Sequence, residues 1–307
     1  MRKYIGMILA CFGVMFVLSG CQKDYYGYGK PFEMSTSKLP GYYNEDIKNI
    51  SADNYERFMH ASYIQVMDKY GNMQKIKISA NIKRHNWDFE NLDSSGLFKN
   101  YIDDQGPRKV GIDVSEHQGV IDWQAVAPNV DFAIIRMGYR GYTSGGIVMD
   151  AYYNTNMEQA TANGIPVGIY FYSQATSYEE GVEEANYVLN NYGDYGLAYP
   201  IVLDCEDPMQ EDARTNDMSV EQHTQAALGF IDTIKASGHR VMIYTNRMYF
   251  ALYLNLDEIY PCPIWFAQYA DEPDWPYEFE MWQYTEGGTV PGIDGTVDMN
   301  LQMKEIQ

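Results

Sequence analysis

Eight short apolar runs alternate with helical stretches between residues 109 and 303, and no other feature restricts the fold as strongly. The runs are 110–114, 132–137, 167–172, 200–204, 241–245, 264–268, 281–284 and 295–298. The helical stretches are 152–163, 179–192 and 220–237. The last of these has an N-cap residue in Ser219, a capping-box partner in Gln222 and a C-terminal glycine in Gly238. Eight strands with interleaved helices over roughly 200 residues predict an α/β fold, a (β/α) TIM-like barrel rather than an open sheet. The later helical connections are short or missing, so the barrel is expected to be irregular.

The segment "YPIVLDCEDP" (199–208) shows where such a barrel would work. Strand cores of a barrel are buried, and their C-terminal ends open onto the active-site face. Residues i and i+2 of a strand point the same way. Asp204 and Glu206 therefore enter the mouth together, while Cys205 faces the helical layer. Asp113 ends the first predicted strand and Asp298 ends the last. First and last strands of a closed barrel are neighbours, which brings these two acids together. Crowded carboxyls raise one another's pKa, and a carboxyl kept protonated is a general acid.

The segments "DVSEHQGVIDW" (113–123), "LDCE" (203–206), "PIWFAQY" (263–269) and "WQYTEGGTVPGIDGTVDMN" (282–300) resemble the signature segments of glycoside hydrolase family 25. The resemblance covers about 109–303. It implies an irregular β/α barrel that hydrolyses the β-1,4 bond between N-acetylmuramic acid and N-acetylglucosamine, with peptidoglycan glycan strands as partner. It places the catalytic carboxyls on Asp204, Glu206, Asp113 and Asp298, with Glu206 as proton donor. The preferred mechanism uses the substrate's N-acetyl group as nucleophile, with Asp204 steadying its N–H; a retaining or inverting carboxylate pair stays open. The family often has Tyr-His-Phe on the third strand, where this chain has Tyr170-Phe171-Tyr172. That departure touches substrate contacts rather than the acids.

Substrate-binding candidates are Tyr170, Tyr172, Trp265, Tyr269, Gln283 and His117. The rings, like Trp282 and Tyr284, lie near strand ends, where stacking on sugars and packing in the barrel are equally open. Gln283 points opposite to its ring neighbours, toward a substrate hydroxyl or a backbone group. His117 is close enough in sequence to orient Asp113. The other histidines (His60, His85, His223, His239) are scattered, without the spacing a zinc amidase or deacetylase requires, and the reading calls for no cofactor or metal.

The net charge of −20 excludes the basic footprint that nucleic-acid binding needs. The N-terminus pairs a basic start (Arg2, Lys3) with a short apolar stretch and "LSGC" (18–21), which resembles a bacterial lipoprotein signal. The expected organisation is a signal peptide at 1–20, lipidated Cys21 and a tether at 21–45, a small β-containing segment at 46–107, and the catalytic barrel at 108–307. The small segment contains a hairpin around Tyr70-Gly71-Asn72, and 100–109 reads as a linker to the barrel. The expected protein is a monomer, exported and held to the membrane by its lipid, facing the wall or the extracellular space. Cys205 and Cys262 are read as buried thiols, with a bridge between them left open.

Two other readings compete. One is a wall-binding lipoprotein with weak catalysis, separated from a muramidase by turbidity loss of purified walls. The other is a glycosidase on another amino-sugar polymer; common chitinases carry a longer acidic motif than the Tyr199-Pro200-Ile201-Val202 that precedes "LDCE" here. The lipoprotein expectation has its own test. Cys21→Ala should move the protein from the membrane fraction toward release or unprocessed precursor, because each buried lipid methylene contributes about 0.8 kcal/mol. Unchanged attachment with normal signal removal would refute it.

Overall fold

The computed structural model describes residues 62–306. The expected signal peptide, Cys21 and the tether lie outside the described residues. Five of the eight predicted runs end where their strands do to within one residue, and all eight overlap strands. These are β6 (Val110–Val114), β7 (Phe132–Arg140), β9 (Val167–Ser173), β10 (Ile201–Cys205), β11 (Val241–Asn246), β12 (Ile264–Ala267), β13 (Met281–Gly288) and β14 (Val297–Gln302). They are hydrogen-bonded in the order β6, β14, β13, β12, β11, β10, β9, β7, and β7 closes back onto β6. A short strand, β8 (Ile147–Met149), adds to β7 as an antiparallel hairpin outside the ring.

The strands are parallel except for β14, which runs against both β13 and β6. This corrects the position expected for Asp298. It stands second in β14 rather than at the end of that strand. The reversed direction nevertheless brings it to the mouth, where it sits directly opposite Asp113 in the register.

Strand alternation divides the apolar residues into two cores. Ile134, Val202, Met242, Trp265 and Met281 fill the barrel interior. Ile112, Ile135, Ile169, Phe171, Leu203 and Cys205 face the surrounding layer. Cys205 and Cys262 are both free and buried. The three predicted helices are present as Tyr153–Ala162, Tyr178–Asn191 and Val220–Ala236. Ser219 caps the last through the expected box with Gln222. After β11 the connection is only Arg247–Tyr253 and Leu256–Ile259, and among the described residues no helix joins β12, β13 and β14.

The N-terminal segment does not stand apart from the barrel. Its hairpin, β1 (Tyr63–Met67) and β2 (Met73–Lys77), turns at Gly71, whose φ of 82° favours glycine. Ile64, Val66, Ile82, Phe98 and Tyr101 join the same buried cluster as the barrel's outer layer. The stretch 100–109 is not a linker. Strand β4 (Asn100–Asp103) pairs with β3 (Leu92–Asp93) and β5 (Gly106–Pro107). Its polar residues look like linker composition because they fasten the turn: Arg108 bonds Asp103 at 2.6 Å, and Asn100 exchanges hydrogen bonds with Arg108.

Helices Tyr178–Asn191 and Val220–Ala236 approach each other through glycines. A Cβ at Gly229 would lie 2.1 Å from the Tyr178 carbonyl oxygen, and one at Gly181 would lie 2.1 Å from that of Ala226. Both obstacles are backbone, so the helices must separate to admit a methyl. Gly229→Ala should cost about 1–3 kcal/mol despite alanine's helix propensity. The readout is a drop in Tm of roughly 2–4 °C per kcal/mol; an unchanged or raised Tm would contradict the close approach.

Candidate active site

The acids reach the mouth because their strands share one parity. Asp113 on β6, Asp204 on β10 and Asp298 on β14 project inward, at or one step above the apolar interior layer. Glu206 follows one residue after β10 ends. All four line a cleft of about 820 Å³, together with Tyr170, Tyr172, Tyr139, Tyr142, Arg136 and Glu286.

Asp113 is held from below by two amides. Asn300 Nδ2 donates to its Oδ2 at 2.7 Å, and Gln283 Nε2 donates to the same oxygen at 2.9 Å. Each amide is itself oriented. The hydroxyls of Tyr244 (2.8 Å) and Tyr269 (3.0 Å) donate to Gln283 Oε1, which turns its NH₂ toward Asp113 and Asp298. Trp265 Nε1 donates to Asn300 Oδ1 at 2.8 Å with the same effect.

These carboxyls hold protons well above the ordinary range. Burial is the largest cause for every one. Asp298 is pushed up to about 9, with the adjacent Asp113 adding charge repulsion and accepting its proton in a hydrogen bond. Asp113 rises to about 6, restrained by the Asn300, Gln283 and Asp298 hydrogen bonds. Glu206 rises to about 7, opposed by a hydrogen bond from Asn246. Asp204 is also raised, by burial and then by Glu206 and Asp113, while Arg136 pulls it down. Like-charge repulsion, the cause named from sequence, ranks second to burial at Asp298 and Asp204. Asp204 Oδ1 is buried and has no hydrogen-bond partner among the described residues.

The six substrate-binding candidates separate into two groups. Tyr170 and Tyr172 line the cleft. Trp265 is 1% exposed and Gln283 also 1% exposed, so neither faces a substrate; both serve the network beneath Asp113. Tyr269 serves the same network through Gln283. His117 lines the cleft but its ring lies 3.4 Å from Arg136 Nη1 rather than on Asp113. Arg136 is in turn fixed by Asp150 (2.7 Å) and Glu116 (3.0 Å). Trp282 and Tyr284 point outward into the surrounding core.

Sequence reasoning missed Asn300, Asn246, Arg136 and Glu286. Asn300 was within reach of the parity argument, being two residues beyond Asp298. Asn246 closes "VMIYTN" at the mouth end of β11, the corresponding place on its strand. It caps helix Arg247–Tyr253 with its Oδ1, which accepts from Tyr249 N at 3.0 Å.

The family model of glycosyl hydrolases family 25 matches residues 112–293. This chain belongs to that family. It is 30% identical over 198 residues to the uncharacterized protein YegX of Escherichia coli K12, spanning 62% of this chain and 68% of that protein. Lysozyme M1 of Streptomyces globisporus is 29% identical over 201 residues, spanning 62% of this chain and 66% of the lysozyme. Among solved structures, the modular autolysin LytC of Streptococcus pneumoniae, in complex with a synthetic peptidoglycan ligand, superposes with a TM-score of 0.58 at 23% identity. The fold is thus shared over 78% of this chain, which spans 56% of LytC. The matched family region contains Asp113, Asp204 and Glu206, while Asp298 and Asn300 lie just beyond it.

The raised pKa values make the family 25 site a burden on stability at high pH. Folded Asp298, Asp113 and Glu206 bind protons that the unfolded chain releases near pH 4. The native state therefore binds more protons between about pH 4 and 9, and stability falls as pH rises through that window. Asp298→Asn keeps a donor toward Asp113 but cannot ionise. It should raise Tm at pH 9 by roughly 3 °C or more and flatten the slope of Tm against pH. Parallel melts at pH 5 and 9 check this; an unaltered slope would contradict a protonated Asp298.

Proposed function

We propose that this chain is a muramidase, hydrolysing the β-1,4 bond between N-acetylmuramic acid and N-acetylglucosamine in peptidoglycan. The observation that carries the reading is the Asp204–Glu206 pair: a buried and a half-buried acid at the mouth end of one strand, both lining an aromatic-lined cleft, with Asp204 Oδ1 lacking a hydrogen-bond partner among the described residues. Family membership makes the reaction class glycoside hydrolysis. The lysozyme name of a 29%-identical relative and the peptidoglycan ligand of LytC support the substrate.

Glu206 acts as general acid. Its protonated form persists to about pH 7 because burial penalises the carboxylate. Asp204 Oδ1 accepts the N–H of the substrate's acetamido group, and that group's carbonyl oxygen then attacks the anomeric carbon. Substrate binding sorts the protons of the coupled pair. An N–H donor at Asp204 favours its ionised form, and the resulting charge raises Glu206 further. Water completes hydrolysis, with Glu206 now accepting the proton. The protein works as a monomer outside the cell, held to the membrane through Cys21.

Digestion of purified peptidoglycan by the full-length protein in mild detergent, read by mass spectrometry, tests bond and polarity together. Products should carry N-acetylmuramic acid at their reducing ends; N-acetylglucosamine there would indicate the other glycosidic bond. Glu206→Gln should lower the rate by about 10²–10⁴-fold without loss of fold, and Asp204→Asn should also be severe. The pH profile should be a bell whose alkaline limb follows Glu206 near pH 7. Near-normal rates in a folded Glu206→Gln protein, or a rate still rising above pH 8, would sink the assignment.

A further inference from the structure

We propose that Lys69 is a positioning residue for Glu206, so that the N-terminal hairpin completes the active site of the barrel. The inference rests on the muramidase reading. Lys69 lies well outside the matched family region, 112–293, and it reaches the residue immediately after the proton donor.

The hairpin presents Lys69 from a fixed turn. Asp68 Oδ1 accepts from the backbone N–H of Tyr70 (3.0 Å) and Asn72 (2.8 Å), and its Oδ2 accepts from Gln74 Nε2 at 2.9 Å. Buried Ile64 and Val66 seat β1, which packs on helix Arg247–Tyr253. That helix begins at Asn246, the residue bonded to Glu206.

Lys69 Nζ bridges both ends of the loop that follows Glu206. It donates to Asp207 Oδ2 at 3.0 Å and to Asn216 Oδ1 at 2.8 Å. Its side chain is 14% exposed and that of Asp207 7%, so the pair is shielded from solvent and weakly screened. The other Asp207 oxygen accepts from Met209 N at 2.8 Å, and Met209 has a left-handed φ of 54°. Asn216 Nδ2 donates to the Gln210 and Glu211 carbonyls at 2.8 and 3.0 Å. Next to it, Thr215 Oγ1 donates to Gln174 Oε1 at 3.0 Å, and Gln174 Nε2 donates to the Glu206 carbonyl at 3.2 Å. One ammonium therefore secures the loop whose two ends bear on the Glu206 backbone.

It also balances charge. Glu206 faces Asp204 on its own strand and Asp113, Asp298 and Glu286 from β6, β14 and β13. Tyr172, Tyr244 and Tyr269 stand around the cluster as neutral phenols. Asp207 is a further negative neighbour of Glu206, and Lys69 neutralises it. Around Lys69 itself stand Asp68 and Tyr70 in its turn, Tyr253, and His223, which burial keeps neutral with a pKa pushed down to about 4. Among the described residues the carboxylate within bonding distance of Lys69 is that of Asp207.

The test uses the full-length protein in mild detergent on purified peptidoglycan, with kcat, KM, pH profile and Tm measured for Lys69→Met, Lys69→Arg and Lys69→Met combined with Asp207→Asn. Lys69→Met should lower kcat about tenfold with a smaller change in KM. Its alkaline limb should move up by about half a pH unit, because uncompensated Asp207 holds the proton on Glu206. Adding Asp207→Asn should return the limb to its wild-type position while kcat stays low, since the loop remains untied. Lys69→Arg should recover most of both. A Lys69→Met protein with lowered Tm but wild-type kcat and limb would make the hairpin a stabilising element only and overturn the inference. An inactive wild-type protein would instead overturn the muramidase reading itself, and this inference with it.

Discussion

The reversal of β14 is the constraint on which the mouth of this barrel depends. Seven strands run the same way, and a parallel eighth would carry Asp298, second in its strand, to the closed end. Running antiparallel, β14 sets Asp298 opposite Asp113 and Asn300 opposite Gly111. The same reversal places Asn300 one inward step below Asp298, within reach of Asp113 Oδ2. Gly111 leaves room at that level: a Cβ there would lie 2.5 Å from the ring of Phe132. One change of strand direction thus supplies a carboxyl at the mouth, its neighbour's hydrogen bond and the closure of the sheet.

Crowding two buried and two half-buried carboxyls at one mouth is costly unless each is protonated or hydrogen-bonded. The two sides of the mouth meet that cost differently. Asp113 and Asp298 share a proton above oriented amides, so the pair is satisfied and its geometry fixed. Asp204 keeps an oxygen that has no partner among the described residues. That oxygen carries a desolvation penalty on the order of 1–3 kcal/mol that a bound donor would remove. A site preorganised on one flank and unsatisfied on the other favours a ligand that brings its own N–H, and strain of this kind is commonly retained at functional sites.

The barrel was legible in the sequence because strand alternation and helix caps are local signals. Ser219 with Gln222 caps its helix as read, and Asp204 with Glu206 enters the mouth as read. The direction of β14 was not read from the sequence, because an apolar run carries no arrow; the signal available was the connection from Gly288 to Val297, which is too short for a parallel crossover. Nor was the 100–109 hairpin. Its apolar residues, Tyr101 and Ile102, are too few for a pattern, and its order comes from Arg108, Asp103 and Asn100 bonding one another. Trp265 and Gln283 were drawn to the substrate by residue type. Both do point inward, but below the mouth, and depth along a strand depends on register with neighbours that sequence does not display.

Cations are scarce in a chain of net charge −20, and their placement around the mouth sorts its acids into two sets. Arg136 takes Asp150 and Glu116, and Lys69 takes Asp207. Those three acids become parts of the frame. Among the described residues no cation is bonded to Asp113, Asp204, Asp298 or Glu206, and these four answer desolvation by holding protons. Had Arg136 or Lys69 bonded one of these four, its pKa would fall and it would lose the ability to donate at neutral pH. The two cations thus act by what they leave alone: each is bonded to frame acids beside the cluster, and the four mouth carboxyls keep their raised pKa values.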